Sequence, residues 1–174
     1  MFTIHPTARL RPSPFYESTV AAGLSSVSVY NRMIMPTSYG DPEAEYWRII
    51  NGVSMWDVGI ERQVQLRGRD ALVLAQLLTP RDLSSCAEGQ GKYAPICNHD
   101  GVLLNDPIAL KFSDELVWFS IADSDIWYWA RAIAAERGLS VVVSEPDVSP
   151  LAVQGPKAED VVASLIGDLS LIHI

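Results

Sequence analysis

Short blocks of alternating apolar and polar residues run through the chain and predict β-strands. Between Glu61 and Leu66 the apolar Val64 and Leu66 alternate with two glutamines, a period of two that is typical of a strand with one buried face. Similar blocks flanked by turn residues predict the strands Lys92–Cys97, Val102–Phe112, Leu116–Ile121, Val141–Val143 and Leu151–Gln154. Turns at 98–101 and 113–115 join the first three of these strands into an antiparallel meander.

Helices are predicted between the strands by capping residues and by apolar spacing. Asp41-Pro42 is typical of a helix start, and Asn51-Gly52 closes that helix. Further helices are predicted over 70–78 and from 155–156 to about 166. A fourth carries Ile126, Trp129, Ala130 and Ile133 at i, i+3, i+4, i+7 spacing, is capped by Ser124 or Asp125, and stops at Gly138. Strands in hairpins mixed with helices indicate an α+β class.

The order of elements indicates three parts. We expect residues 1–52 to begin a first subdomain, residues 53–138 to form a hairpin-rich α+β subdomain, and residues 139–174 to return to the first. The sequence ends on the apolar Ser170–Ile174, where a natural C-terminus is usually polar, so we expect it to be truncated.

Composition and charge narrow the class of protein. With 174 residues and 48% hydrophobic residues, the chain is expected to fold around a buried core. Its net charge of -8, with scattered acids, argues against binding to nucleic acid, which requires a basic face. The apolar runs are too short to cross a bilayer and no leader opens the chain, so we expect a cytoplasmic protein without a membrane partner.

Short motifs give no enzyme class. Cys86 and Cys97 lack the spacing of a metal site or a disulfide framework, so no metal is expected. Gly89-Gln90-Gly91-Lys92 resembles a phosphate loop only in part, and it precedes a strand, so a turn is the better interpretation. Trp129 is assigned to the core, and Gln154 to a strand-to-helix junction.

Asp106 is the candidate functional carboxylate. It lies in an otherwise apolar strand and precedes Pro107, which lacks an amide hydrogen and therefore marks an edge or a bulge. A bulge redirects a side chain, whereas a buried carboxylate without a partner is costly. The residues alone leave two interpretations open, a structural cap and a functional acid.

Several segments, in this order, resemble the folate-binding aminomethyltransferase family, typified by the glycine cleavage T-protein. They are Met55-Trp56-Asp57-Val58, Arg81-Asp82-Leu83, Gly89-x-Gly91-x-Tyr93, Gly101-Val-Leu-Leu-Asn105-Asp106 and Leu151-Ala-Val-Gln154-Gly155-Pro156. The resemblance extends from about Arg9 to Gly167. It implies the α+β fold of that family and a C1-transfer enzyme of one-carbon metabolism that uses tetrahydrofolate.

Other strings are more similar to the dimethylsulfoniopropionate demethylase branch than to the T-protein. They are Val29–Pro36, Trp56-Asp57-Val58 with Glu61-Arg62-Gln63-Val64, Asn105-Asp106-Pro107 and Ser120–Asp125. The resemblance implies a methyltransferase that converts this sulfonium compound and tetrahydrofolate into methylthiopropionate and 5-methyltetrahydrofolate. Relatives of this family are about twice as long, so part of the pocket would lie in sequence absent here.

The resemblance also implies roles for individual residues. The family's Gly-Gly-x-x-Asp-Asp-like segment aligns with 101–106, so Asp106 is the expected catalytic carboxylate, and Asn105 stands where the family has a first acid. By the same resemblance Tyr93 and Asn105 would contact folate together with Asp106, and Tyr30 and Met35 would lie near the substrate. Asp106 would orient folate or balance charge at N5, and aromatic rings would hold the sulfonium.

Three alternatives stay open. An aminomethyltransferase would need proton delivery to nitrogen, which the amide at Asn105 makes harder to explain. A non-catalytic or tRNA-modifying folate protein would carry its signature in later segments. The third is a folded piece without binding activity. The sequence does not distinguish a monomer from a homodimer.

Overall fold

The protein was analysed as a computed structural model that describes residues 9–167. The stretch Ser170–Ile174, on which the expectation of truncation rests, lies outside these residues. The helices are α1 (Tyr16–Ala21), α2 (Pro42–Asn51), α3 (Ala71–Leu78), α4 (Ile126–Glu136) and α5 (Ala158–Ile166). The strands are β1 (Ser26–Tyr30), β2 (Met33–Ser38), β3 (Ser54–Asp57), β4 (Gln63–Arg67), β5 (Gln90–Tyr93), β6 (Ile96–Cys97), β7 (Leu103–Asn105), β8 (Ile108–Ser113), β9 (Leu116–Ser120), β10 (Val142–Ser144) and β11 (Leu151–Gln154).

The chain divides into two compact units. One contains the residues up to Ile60 and those from Ser149 onward, and the other is Glu61–Val148. These divisions fall at 60/61 and 148/149, whereas the sequence pattern placed boundaries at 52/53 and 138/139. The assignment of the three predicted parts to subdomains stays a prediction.

The second unit is built on a five-stranded antiparallel sheet with the order β10-β4-β9-β8-β5. Val64 and Leu66 of β4, and Val117 and Phe119 of β9, point toward α3 and α4 and are buried with them in one apolar core. The alternation predicted for β4 and the meander β5-β8-β9 are confirmed. Both follow from the two-residue period of a strand, which places every second side chain on one face.

The hairpin predicted around residues 98–101 is confirmed, but the prediction that each of its arms is one continuous strand was wrong. Each arm is broken, so that β5 pairs with β8 and β6 with β7. The breaks contain Pro95 in one arm and Pro107 in the other, and a proline cannot donate to a ladder. The amide of Ala94 donates to the carbonyl oxygen of Pro107 at 2.9 Å and holds the arms together across the break.

The ends of α2 follow its capping residues, whereas Asp125 at the start of α4 makes no side-chain capping hydrogen bond. The Asp41 side chain accepts a hydrogen bond from the amide of Ala44 at 3.0 Å, and α2 ends before Gly52, both as predicted. Helix α4 begins after Asp125 and buries Ile126, Ala130 and Ile133, the residues assigned to its apolar stripe. The partly buried Trp129 packs against the core, as predicted.

Gly68 marks the tightest approach in the second unit. Its φ of +141° lies in a region that side chains rarely adopt, and a Cβ there would lie 2.4 Å from the carbonyl oxygen of Ser140. We expect Gly68→Ala to lower the free energy of unfolding by about 2 kcal/mol in urea denaturation. The control is Gly138→Ala, where φ is +61° and open space surrounds the new methyl group. For this variant we expect the free energy of unfolding to fall by only about 1 kcal/mol, the cost of the backbone conformation alone. Equal losses would contradict the steric explanation.

Candidate functional site

The structure brings Tyr93 and Asp106 together. Tyr93 pairs with Ile108 across β5 and β8, and Asp106 lies two residues before that pair. The Tyr93 hydroxyl donates to a carboxylate oxygen of Asp106 at 3.5 Å. Both side chains are exposed, Tyr93 by 47% of its surface, so the carboxylate is accessible to a ligand.

Buried neighbours hold Asp106 in this exposed position. Asn105 is 4% exposed and Pro107 is fully buried, whereas Asp106 between them faces solvent. The strand break at Pro107 therefore aims one carboxylate outward between two anchored residues. This favours the functional interpretation of Asp106 over a structural cap.

The Asn105 amide is fully engaged inside the second unit. Its nitrogen donates to the carbonyl oxygen of Ala122 at 3.0 Å and to the Ser124 hydroxyl at 2.6 Å. Its oxygen accepts the amide of Ala122 at 3.0 Å, and the Ser124 hydroxyl in turn donates to the carbonyl oxygen of Leu104. Both N–H groups are thus used internally. A direct folate contact by Asn105 stays a prediction, and its bonds here position the residue next to Asp106.

The sheet face opposite α3 and α4 continues the site. In β4 and β9 every second side chain, including Val64 and Val117, points into the core, so the side chains between them point to the other face. This face, named the open face because α3 and α4 do not cover it, carries the exposed Tyr93 and Ile108 and the half-buried Leu110, Trp118 and Gln65. The sequence reasoning did not identify the last four as site residues; the period of two in β4 was a signal for Gln65 alone.

Trp118 is fixed on this open face. Its indole nitrogen donates to the side-chain oxygen of Gln65 at 3.0 Å, and the Gln65 amide donates to the Ser144 hydroxyl at 3.1 Å. Phe112 meets the Trp118 ring edge to face, with centroids 5.0 Å apart. Hydrogen bonds across three strands thus hold an aromatic pair in one orientation.

Gly91 allows the apolar side chains of the open face to pack over β5. A Cβ at Gly91 would lie 3.2 Å from a methyl carbon of Ile108 and from one of Leu110. These contacts are tighter than ordinary packing. The absent side chain at this position therefore leaves room for Ile108 and Leu110 beside Tyr93.

A cleft of about 800 Å³ lies along the edge strand β5. The Lys92 ammonium donates to the Ser85 hydroxyl at 2.7 Å, and Arg81 donates to the carbonyl oxygen of Tyr93 at 3.0 Å. The Ser84 hydroxyl donates to Asp82 and lowers the pKa of that carboxyl. These bonds attach the preceding loop to the sheet edge. The turn predicted at 89–92 is present only at Gly89, which has positive φ, whereas residues 90–92 belong to β5.

Tyr30 and Met35 belong to the first unit. They share one face of the ribbon formed by β1 and β2, because Tyr30 pairs with Met33 and Met35 is the next residue on that face. The connecting residues Asn31 and Arg32 both have positive φ, as a two-residue hairpin turn requires. The Asn31 amide donates to the carbonyl oxygen of Ile60 at 3.0 Å. Substrate binding by Tyr30 and Met35 stays a prediction.

No cluster of three or more metal-binding side chains occurs within residues 9–167. Cys86 is buried, Cys97 is half-buried, and the two are not joined in a disulfide. Over the same described part of the chain, no helix has the length and apolar character needed to cross a membrane.

Comparisons with known proteins agree with this architecture. Residues 15–173 match the family described as GCVT N-terminal domain. The chain is 43% identical over 168 residues to the dimethylsulfoniopropionate demethylase DmdA of Ruegeria pomeroyi, covering 97% of this chain and 46% of that protein. It is 27% identical over 163 residues to an aminomethyltransferase of Staphylococcus haemolyticus, covering 92% of this chain and 45% of that protein.

A solved structure shares the fold. The glycine cleavage system aminomethyltransferase T from Bartonella henselae superposes with a TM-score of 0.77 at 22% identity, covering 88% of this chain and 43% of that one. The predicted α+β fold is thereby confirmed. The chain spans about half the length of the curated relatives it matches. By the family match over nearly its whole length, the chain belongs to the GCVT N-terminal domain family.

Proposed function

We propose that the whole protein, of which this chain supplies the half that matches its relatives, transfers a methyl group from dimethylsulfoniopropionate to tetrahydrofolate. The S–CH3 bond breaks as the N5–CH3 bond forms, and the products are methylthiopropionate, 5-methyltetrahydrofolate and the proton released from N5. The observation that carries the proposal is the exposed Asp106 carboxylate beside the Tyr93 hydroxyl. The greater similarity to the demethylase than to the aminomethyltransferase supports the choice of substrate.

The residues around Asp106 fit a reduced folate. A pterin is a flat ring with N–H groups at its edge, so it needs an apolar or aromatic surface and a hydrogen-bond acceptor beside it. The open face offers Ile108, Leu110 and Tyr93 as the surface and Asp106 as the acceptor. Tyr93 and Asp106 would hold the cofactor, and bound tetrahydrofolate would supply the nitrogen that accepts the methyl group.

Asp106 and Tyr93 have complementary tasks in this proposal. The Asp106 carboxylate accepts a hydrogen bond from the ligand and balances the positive charge that develops beside it. The Tyr93 hydroxyl donates to the same carboxylate and limits its rotation. A sulfonium methyl group is electrophilic and leaves a neutral thioether, so the transfer depends on alignment more than on proton transfer.

The position of Asn105 supports methyl transfer over aminomethyl transfer. Release of ammonia requires an acid that delivers a proton to nitrogen. Asn105 cannot serve as this acid, and its two N–H groups already bind Ala122 and Ser124. An aspartate at 105 would lack these donors. Of positions 105 and 106, only Asp106 carries a carboxylate, which suits chemistry without proton delivery.

Aromatic rings are the proposed binding surface for the cationic sulfonium. Faces of tryptophan, tyrosine and phenylalanine attract cations by about 0.5–2 kcal/mol each. Phe112 and Trp118 form a fixed aromatic pair on the open face. By the resemblance alone, Tyr30 and Met35 are also proposed as substrate contacts.

An assay on the full-length protein tests the proposed reaction. We expect 5-methyltetrahydrofolate to form when dimethylsulfoniopropionate and tetrahydrofolate are supplied together, with methylthiopropionate in equal amount. Chromatography with mass detection measures both products. The matched control replaces the sulfonium substrate by an aminomethylated lipoyl carrier. Turnover of that carrier, with none of the sulfonium compound, would identify an aminomethyltransferase instead.

A further inference from the structure

A cationic side chain, Arg67, lies on the open face of the second unit. It is the last residue of β4, and because side chains alternate along a strand it shares that face with Gln65. Its partners on the neighbouring strands are Leu116 of β9 and Val142 of β10, both apolar. The Arg67 side chain is exposed. A positive charge therefore stands on the open face between two apolar neighbours.

Arg67 has no carboxylate partner among the residues that the structure describes. Arg62, just before β4, forms an ion pair with Glu145 at 2.6 Å, but no such pair is found for Arg67 in the described part of the chain. Its guanidinium instead donates to the side-chain oxygen of Gln65 at 3.5 Å. A guanidinium has five N–H donors in a planar fork that matches a carboxylate. Most of the donors of Arg67 are thus available to a ligand.

One oxygen atom joins Arg67 to the aromatic pair of the open face. Gln65 Oε1 accepts the indole N–H of Trp118 at 3.0 Å and the guanidinium of Arg67 at 3.5 Å. Arg67 is also a diagonal neighbour of Trp118 in the pairing of β4 with β9, and the Cα atoms of such neighbours are about 7–8 Å apart. An anion-binding group therefore lies beside the rings of Trp118 and Phe112.

We propose that Arg67 binds the carboxylate of the sulfonium substrate and selects this zwitterion over sulfonium cations without an acid group. The inference rests on the proposed methyl transfer. In dimethylsulfoniopropionate two methylene groups separate the sulfonium from the carboxylate. The molecule can therefore place its cation against the rings of Phe112 and Trp118 while its carboxylate accepts hydrogen bonds from Arg67.

The strand register orients the substrate toward the proposed folate surface. Trp118 pairs with Leu110 on one side and with Gln65 on the other. Leu110 belongs to the surface proposed for the pterin, whereas Arg67 lies on the Gln65 side of Trp118. A carboxylate bound by Arg67 thus points away from the pterin. The sulfonium methyl groups are then the part of the substrate nearest to the folate.

The same charge discriminates against other methyl donors. A sulfonium cation without a carboxylate brings a second positive charge next to the Arg67 guanidinium, and like charges repel. Rejection by an unfavourable contact is a common source of specificity. Arg67 therefore favours the zwitterion by attraction and disfavours the simple cation by repulsion.

Steady-state kinetics of the full-length protein with two methyl donors tests the inference. The donors are dimethylsulfoniopropionate and ethyldimethylsulfonium, which has the same sulfonium group and no carboxylate. Arg67→Gln is expected to raise KM for dimethylsulfoniopropionate about tenfold, the effect of one hydrogen bond to a charged group. Its kcat should stay within about twofold, because the contact is to the end of the substrate that does not react. KM for ethyldimethylsulfonium should not rise, and Arg67→Lys should recover part of the loss.

Arg69→Gln is the matched control. The Arg69 side chain is 77% exposed and lies beyond the end of β4, 3.8 Å from Asp70. This variant should change KM for either donor less than about twofold, and circular dichroism checks the fold of each variant. An unchanged KM for dimethylsulfoniopropionate in Arg67→Gln, an equal rise for both donors, or the same rise in Arg69→Gln would overturn the inference and leave the methyl transfer intact. No turnover of either donor by the unaltered protein would instead refute the proposed reaction, and the inference with it.

Discussion

Asp106→Asn in the full-length protein is expected to lower kcat for methyl transfer about 10²-fold. The substitution keeps the shape of the side chain and removes the charge that is proposed to stabilise the transition state, a loss typically of this size for one electrostatic contact. Because Asp106 is exposed, the fold should not change. Steady-state kinetics with saturating tetrahydrofolate, beside thermal unfolding of both proteins, measures the effect.

Two further variants are compared with Asp106→Asn, one as a control and one with a smaller expected loss of activity. Asp100→Asn removes an exposed carboxylate from the turn of the same hairpin and should leave kcat within about twofold. Tyr93→Phe removes only the hydroxyl that donates to Asp106, so a smaller loss of about tenfold is expected. If Asp106→Asn retained the activity of the Asp100→Asn control, the carboxylate would have no catalytic role.

The Asp106 prediction shows what local sequence signals can supply. Pro107 marked a place where a strand could redirect a side chain, and the structure has a strand break there with an exposed carboxylate. Helix starts such as Asp41 were predictable for the same reason, since capping chemistry depends on neighbouring residues. Features that depend on a few adjacent residues are thus accessible from sequence.

Features that depend on distant pairing were not accessible. Pro95 can be read from the sequence, but the sequence does not show that the strand break at Pro95 lies opposite the break at Pro107. That arrangement follows from the pairing of β5 with β8. Gln63 was assigned to the polar face of β4, yet it is buried. Its side-chain amide donates to the Ser120 hydroxyl on the neighbouring strand at 2.9 Å, which provides the buried amide with a hydrogen-bond partner. A buried glutamine becomes favourable only once such a partner is in place.

The open face was missed for a related reason. Alternation in β8 and β9 is weak, because Ile108, Leu110 and Trp118 are as apolar as the core residues between them. A strand that is apolar on both faces does not reveal which face a helix covers. The positions of α3 and α4 decide this, and the candidate ligand surface is the face they leave open.

Asn105→Ala is expected to lower the free energy of unfolding by about 2–4 kcal/mol. The amide is buried and joins β7 to the segment between β9 and α4 through Ala122 and Ser124. Its removal leaves the Ala122 amide and carbonyl groups without these partners, and an unsatisfied buried group costs about 1–3 kcal/mol. Urea denaturation followed by circular dichroism measures the change.

The matched control for this loss is Asn98→Ala. Asn98 also accepts backbone hydrogen bonds, from Asp100 and Val102, but these are exposed in the hairpin turn, so about 1 kcal/mol is expected. In the full-length enzyme, Asn105→Ala should also lower kcat, because the same amide anchors the residue next to Asp106. Unchanged kcat together with the predicted loss of stability would limit Asn105 to a structural role, since a group that positions Asp106 must affect the reaction when it is lost.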